Sequence, residues 1–330
     1  MSNSLGLKIS RWFRNSNIVS VILFFILFVI FMGIFRPKFV TGENLSVITK
    51  IFSITAVVGL SQMVIIGTGG MNLAVGSIGG VSAIISAVAM VTFGFSAVPA
   101  VLIGLLVSVL CGFINGLLIN RFGGDSSASF LVTLAMLSVL KGITFGITSG
   151  QPIYNLDPSF VEIGMMNVLG IPLLANVAVF IGILLWLMFR YLGIGRQILA
   201  FGSNPVAAKL YGVSGSKTIL MAHTLSGFLA GFAGIMLMAG LGSGQTDIGD
   251  DWMMFSFAAP ILGGTRQAGG RVNVFGALIG ALLLSAIQNG LVFLNMDVYW
   301  VKLIQGLIIL IAAAAERLKV LSELRKGEAI

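Results

Sequence analysis

At 330 residues, 57% hydrophobic and 9% charged, with mean hydropathy +1.06, this chain is set apart from soluble proteins, in which about a quarter of the residues carry charge. Its net charge of +8 does not mark a nucleic-acid binder, because no basic patch interleaved with aromatics stands outside the apolar runs. A single cysteine, Cys111, and a single histidine, His223, exclude a disulfide framework, a metal cluster and a catalytic triad.

The apolar residues come in runs of about 20, the pattern of transmembrane helices rather than of amphipathic surface helices. Ten segments are long enough, or nearly so, to cross a ~30 Å hydrocarbon core. They are Ile18–Phe35, Leu45–Gly67, Ser77–Phe93, Val98–Ile119, Ala128–Ser149, Ile171–Tyr191, Thr218–Leu241, Trp252–Leu262, Val274–Leu294 and Val298–Ala315. The first is followed by Arg36-Pro37-Lys38 without a small-residue cleavage site, so it reads as a retained span and not as a signal peptide. The eighth is short and is expected to join a broken or tilted segment starting near Asp247. Many of the 43 glycines lie inside these runs, where they favour close helix packing. The expected fold is an all-α polytopic membrane protein with about ten transmembrane helices, forming one domain over residues 1–330.

Ten crossings place both termini on one side, and charge says which. The segments on that side carry Lys8, Arg11, Arg14, Arg121, Arg190, Arg196, Lys209, Lys217, Arg266, Arg271, Arg317, Lys319, Arg325 and Lys326, which is 14 of the 19 basic residues. Opposite them stand Arg36, Lys38 and Lys302, with Lys50 and Lys141 left inside spans. By the positive-inside rule both termini are cytoplasmic. The external loops carry acid instead: Glu43, Asp157, Glu162, Asp247, Asp250, Asp251 and Asp297. A short internal match adds to this picture. Asn115-Gly116-Leu117 closes the fourth span and Asn289-Gly290-Leu291 the ninth, two spans of opposite direction, as an inverted repeat would have them.

The residues available for chemistry are few. No glycine-rich loop ends in Gly-Lys-Ser or Gly-Lys-Thr, so the chain does not cradle and hydrolyse a nucleotide in the usual way. Between Ile51 and Leu241 the only acids are Asp125, Asp157 and Glu162, all in loops, which leaves no intramembrane carboxylate for proton or sodium coupling. Lys141 is the ionisable group well inside a span; it is either a site residue or a structural lysine satisfied by carbonyls and hydroxyls. His223 reads as a packed, hydrogen-bonded histidine.

Three interruptions punctuate the spans. Gly67–Gly80 contains Asn72, Gly76 and Ser77; it is either a loop offering neutral hydrogen bonds to a polyhydroxylated solute or a tight helical hairpin. Leu262–Arg271 reads as a hairpin whose glycines serve packing. The third, Arg190–Lys217, is basic and holds a short helix near 203–212. Ser203 or Asn204 can cap it, Pro205 suits its first position, and Gly212 can take the left-handed stop. A helix this short is marginal alone, so it is either a plain connector or an element that needs a partner surface.

Taken together in this order and spacing, Thr68–Ser77, Ile114–Leu117, Gly202–Gly212, Leu262–Thr265 and Ala268–Gly270 resemble the membrane subunit of ribose-type sugar importers of the ATP-binding cassette class, over about Pro37 to Leu318. Asn72 and Ala74 depart from that family's usual aspartate and serine. The resemblance implies a type II importer fold with an inverted repeat. It also implies a second permease subunit, two ATPase subunits that bind ATP and Mg, and an external solute-binding protein; this chain would carry no cofactor. Ser203, Asn204, Pro205, Ala207, Ala208, Lys209, Leu210 and Gly212 would then form the coupling helix seated on the ATPase. Asn72, Gly76, Ser77, Asn115, Lys141 and Asn289 are the candidate pathway residues for a small sugar or polyol crossing a bacterial inner membrane. The competing expectation is an autonomous carrier or channel that needs no ATPase.

Overall fold

The computed structural model describes residues 17–294, with 296, 300, 303, 306, 307 and 310. The expected tenth span, Val298–Ala315, lies almost wholly outside these residues, as do Asp297, Lys302 and the basic residues of both chain ends. The described chain is a helical bundle: α1 (Asn17–Phe35), a 3-10 turn (Pro37–Val40), α2 (Gly42–Gly67), α3 (Val75–Val91), α4 (Ala97–Arg121), α5 (Ser126–Thr148), α6 (Pro158–Met165), β1 (Asn167–Val168), β2 (Ile171–Pro172), α7 (Leu173–Tyr191), α8 (Gly193–Ser203), α9 (Pro205–Leu210), α10 (Gly215–Leu241), α11 (Trp252–Leu262) and α12 (Val274–Phe293). Six of these helices (α2, α4, α5, α7, α10 and α12) are long and apolar enough to cross a membrane, and the apolar stretches of α1, α3 and α11 are shorter.

The core forms around α2 and α10. α2 is buried continuously from Phe52 to Gly67 and packs on α12, α10, α11 and α7. α10 packs on α4, α3 and α2, and its contact face is made of small residues: Gly227 meets Ser108 and Gly112 of α4, and Gly234 meets Gly79 of α3. Backbones can approach this closely only where side chains are absent, and such approach replaces the hydrophobic drive that lipid does not supply. α4 and α5 instead turn much of their apolar surface outward, with Leu102, Leu106, Leu131 and Val139 exposed.

Two departures from the sequence-based elements have local causes. The sixth span begins at Leu173, not Ile171, because Ile171 and Pro172 pair with Val168 and Asn167 in a two-residue hairpin. Leu169 and Gly170, both with positive φ, make its turn. The eighth span is broken, as its length required. After α10 the chain bridges Ile153 through Gly244, then turns back beside α3 from the level of Ala87 to that of Gly76. Gly249 (φ +93°) and Gly76 sit backbone to backbone there; a Cβ on either would collide with the other's carbonyl. Only then does α11 begin. Its 11 residues rise about 16 Å, roughly half the hydrocarbon thickness.

The connection α5–α6 is fastened by Asp157. Its carboxylate accepts from the Ser159 amide (2.9 Å) and hydroxyl (2.7 Å) as the cap of α6, and from the Ala97 amide (3.0 Å) at the start of α4. The Ser159 hydroxyl and amide, followed by the amides of Ala97 and Phe160, hold its pKa below the ordinary 3.8. A depressed carboxyl contributes stability that is present above its unfolded pKa and lost as pH falls through the folded one. Asp157→Ala should therefore lower the unfolding temperature at pH 7, and by a shrinking amount as the pH falls below 3.8, measured by scanning fluorimetry in detergent. A loss of equal size throughout that range would show that the charge plays no part.

Candidate functional site

The short helices α8 and α9 project from the end of the bundle that carries Arg121, Arg190, Arg196, Lys209, Lys217, Arg266 and Arg271. Asn204 divides them: it precedes Pro205 and takes an extended backbone (φ −159°, ψ 100°), which the proline favours. Its side chain accepts from the Ala207 amide at 3.0 Å, and Pro205 occupies the first helical position. Gly212 (φ +81°) ends the motif, with its amide on the Lys209 carbonyl and the Val213 amide on that of Ala208. The helix therefore runs Pro205–Leu210 and its cap is Asn204. Ser203 is the last residue of α8, an 11-residue helix that lay hidden in the basic break. Its two buried residues, Gly195 and Ile198, provide too brief an apolar pattern to stand out beside the long spans.

Ala208 buries α9 against the bundle, whereas Val206, Leu210 and Tyr211 are 73%, 83% and 89% exposed. Lys209 is exposed beside them and Ala207 half-buried. Positions 206 and 210 share one face. A helix that turns its largest apolar residues to the outside leaves a patch that none of the described residues covers.

Directly behind α8, three segments meet backbone to backbone. The Gly270 amide donates to the Gly67 carbonyl at 3.1 Å. A Cβ on Gly202 would collide with that same carbonyl and lie 2.7 Å from the Gly270 nitrogen; one on Gly269 would lie 2.7 Å from the Gly69 nitrogen. Ser203 lies against Gly270. Both glycine-rich interruptions, distant in sequence, thus converge on the end of α8.

The first interruption is a buried loop rather than a bare helical hairpin. Its backbone groups are satisfied by hydroxyls of α5: the Met71 amide and carbonyl both bond Ser129 Oγ (3.1 and 2.6 Å), and the Leu73 amide donates to Thr133 Oγ1 (3.1 Å). Asn72 is fully buried. Its Nδ2 donates to Ser226 Oγ (3.1 Å) and its Oδ1 accepts from the Ala74 amide (3.0 Å). The Gln62 amide, in the orientation this network requires, donates to the Asn72 carbonyl (3.0 Å) and accepts from its amide (3.2 Å). Ser61 closes the circuit on Ser226. Ser77 donates back to the Ala74 carbonyl, and Gly76 faces Gly249.

The remaining predicted residues stand apart. Asn115 is buried on α4, and neither atom of its amide has a partner in the described chain. Asn289 lies at the opposite end, where its Oδ1 accepts from Asn44 Nδ2 (2.9 Å). Lys141 is satisfied from the re-entrant segment: its Nζ donates to the Thr246 carbonyl (3.1 Å), pairs with the Asp250 carboxylate and lies over the Phe145 ring. His223 is packed, but among the described residues its Nδ1 has no hydrogen-bond partner, unlike the hydrogen-bonded histidine expected. Missing from the sequence-based set were Gln62, Ser129, Thr133 and Ser226. Their signal was present all along, as polar side chains inside apolar runs.

A bundle of apolar helices with buried polar loops, and with short helices projecting from its basic end, is a multi-pass membrane protein. The chain belongs to the family described as branched-chain amino acid transport system / permease component, whose model matches residues 44–313. It is 32% identical over 293 residues to the ribose import permease protein RbsC of Bacillus subtilis, spanning 88% of this chain and 90% of that one. The D-allose transport system permease protein AlsC of Escherichia coli is 31% identical, over 89% of this chain and 90% of its own. The fructose import permease protein FrcC of Rhizobium meliloti is 30% identical, over 94% and 88%. No solved structure matches.

The three-way junction predicts an asymmetry between two glycines of α8. Gly202→Ala should destabilise the protein by about 1–3 kcal/mol through overpacking, whereas Gly193→Ala, whose Cβ would meet nothing within 4 Å, should be neutral or slightly stabilising. Equal unfolding temperatures for the two variants would show that the segments separate freely.

Proposed function

We propose that this protein is the membrane-embedded permease subunit of an ATP-binding cassette importer for a small sugar or polyol. The observation that carries this reading is the match to sugar import permeases over nearly the full length of both chains, with the capped, outward-facing helix α9 at the basic end. The sugar class is favoured over the amino acids of the family description because the ribose, allose and fructose permeases are the ones that align at 30–32% identity.

In this reading the basic end is cytoplasmic, both termini included, and the membrane is the bacterial inner membrane. Ten crossings with an inverted repeat form the subunit, and a second permease, alike or different, completes the pathway. ATP and Mg are bound by separate ATPase subunits. α9 rests in them through Val206, Leu210 and Tyr211, with Ala207 and Lys209 at the edge of the contact. An external binding protein delivers solute to the acidic end, where Glu43, Asp157 and Glu162 lie. ATPase closure pulls on α9 and α8. The junction at Gly202, Gly67 and Gly270 passes that movement to the α2–α3 and α11–α12 connections at once. Asn72, Gly76 and Ser77 lie at the first of these, so solute passage and the cytoplasmic stroke meet at the same loop.

Proteoliposomes holding the chain with its ATPase and binding-protein partners should take up D-ribose, D-allose or D-fructose only with ATP, and should not take up L-leucine. Saturable uptake by the chain alone without ATP would replace this reading with an autonomous carrier. Within the complex, Ala207→Asp and Lys209→Glu should uncouple hydrolysis from uptake while the subunit stays folded; an interface residue of this kind is worth about 1–3 kcal/mol. Full coupling in both variants would show that α9 is not the contact.

A further inference from the structure

Between α6 and α7 the chain doubles back in the β1–β2 hairpin, and the outer surface of this connection is apolar. Met165, Met166, Val168 and Ile171 are exposed, and Leu169 at the tip is 97% exposed. No charged residue occurs from Ile163 to Phe189, and Asn167 is the one polar side chain on the hairpin. The tip itself is made of an uncommon residue. A two-residue turn with positive φ at both positions, here Leu169 (φ +55°) and Gly170 (φ +77°), is ordinarily Asn-Gly or Asp-Gly, whose short polar side chain tolerates the left-handed region. A leucine in that place gives up conformational ease and, facing water, gains nothing by burial. An apolar medium around the tip accounts for it.

The surroundings identify that medium as lipid. Gly164, at the end of α6, lies backbone on backbone against Ala239 in the last turn of α10, and α7 begins directly after the hairpin at Leu173. The tip therefore sits where two spans end, at the boundary of the hydrocarbon layer. Val179, Phe180, Ile183 and Leu184 carry the exposed apolar surface onward along α7. The hairpin also meets the condition for entering lipid, since its backbone is paired within itself: Asn167 with Pro172, Val168 with Ile171, and the Leu173 amide on the Met166 carbonyl at 2.8 Å. A protein partner would call for a rim of polar groups and hydrogen bonds, for which this surface offers only the Asn167 amide. We propose that the β1–β2 hairpin is an interfacial anchor, setting Met166, Val168 and Leu169 into the headgroup–acyl boundary of the phospholipid leaflet beside α7. The anchor depends on α7 crossing the membrane and not on the solute or the ATPase.

A nitroxide on Leu169→Cys measures this in the full chain, assembled with its ATPase partners in nanodiscs of phosphatidylethanolamine and phosphatidylglycerol. The unsubstituted chain, whose Cys111 is buried, sets the labelling background. The ratio of collisions with oxygen to collisions with a water-soluble nickel chelate should be at least threefold higher than for a nitroxide on Gln151→Cys, an exposed polar position before α6. Adding the binding protein should leave the ratio unchanged. In a second measurement, acyl-brominated lipid should quench the emission that Leu169→Trp adds to the parent chain at least twofold. A ratio equal to that at Gln151→Cys, or added emission that brominated lipid leaves intact, overturns the anchor. Nickel access that disappears only when the binding protein is added, or dipolar broadening between labels on two copies, assigns the hairpin to a protein contact and also overturns it. The importer reading stands in each case.

Discussion

A polypeptide inside a bilayer has no water to receive its backbone N–H and C=O groups, so every departure from helix must find its partners within the protein. The structure is organised around how this chain meets that demand at its breaks. The first break is held by hydroxyls. Ser129 and Thr133 of α5, together with Asn72, Gln62, Ser61 and Ser226, enclose seven non-helical residues in bonds of 2.6 to 3.2 Å. The break at α8 is held by bare backbone, where Gly67, Gly202 and Gly270 touch without side chains between them. The third, before α11, is held by Gly249 against Gly76 and by Lys141 reaching into the re-entrant turn.

Each of these solutions is local, closed by a few neighbouring residues. Two groups are left unanswered on the α4 and α10 helices: the Asn115 amide and His223 Nδ1 are buried without partners in the described chain. An unsatisfied buried polar group costs about 1–3 kcal/mol.

The long spans were legible in the sequence because a 20-residue apolar run has few alternatives, and predicted and observed ends from α2 to α12 agree within three residues. The cap of α9 was legible too, since Asn-Pro forbids the helix to continue backward. What the sequence concealed has a common physical cause. α8 carries too little apolar surface to register next to membrane spans. The convergence of Gly67, Gly202 and Gly270 is a tertiary fact to which a residue without a side chain contributes no chemical signature. Lys141 stood out by its cost in an apolar run, but its partner could not be found from α5 alone. Asp250 reads as an external acid until the chain is seen to turn back into the bundle.

A contact between side chains has rotamers, and rotamers are slack: a push on one end is partly spent on turning bonds before the other end moves. The meeting of Gly202 with Gly67 and Gly270 has no such freedom to take up. At that point α8 meets the chain that joins α2 to α3 and the chain that joins α11 to α12 directly, main chain on main chain. The three glycines thus bind one end of the bundle together where any side chain would wedge the three segments apart.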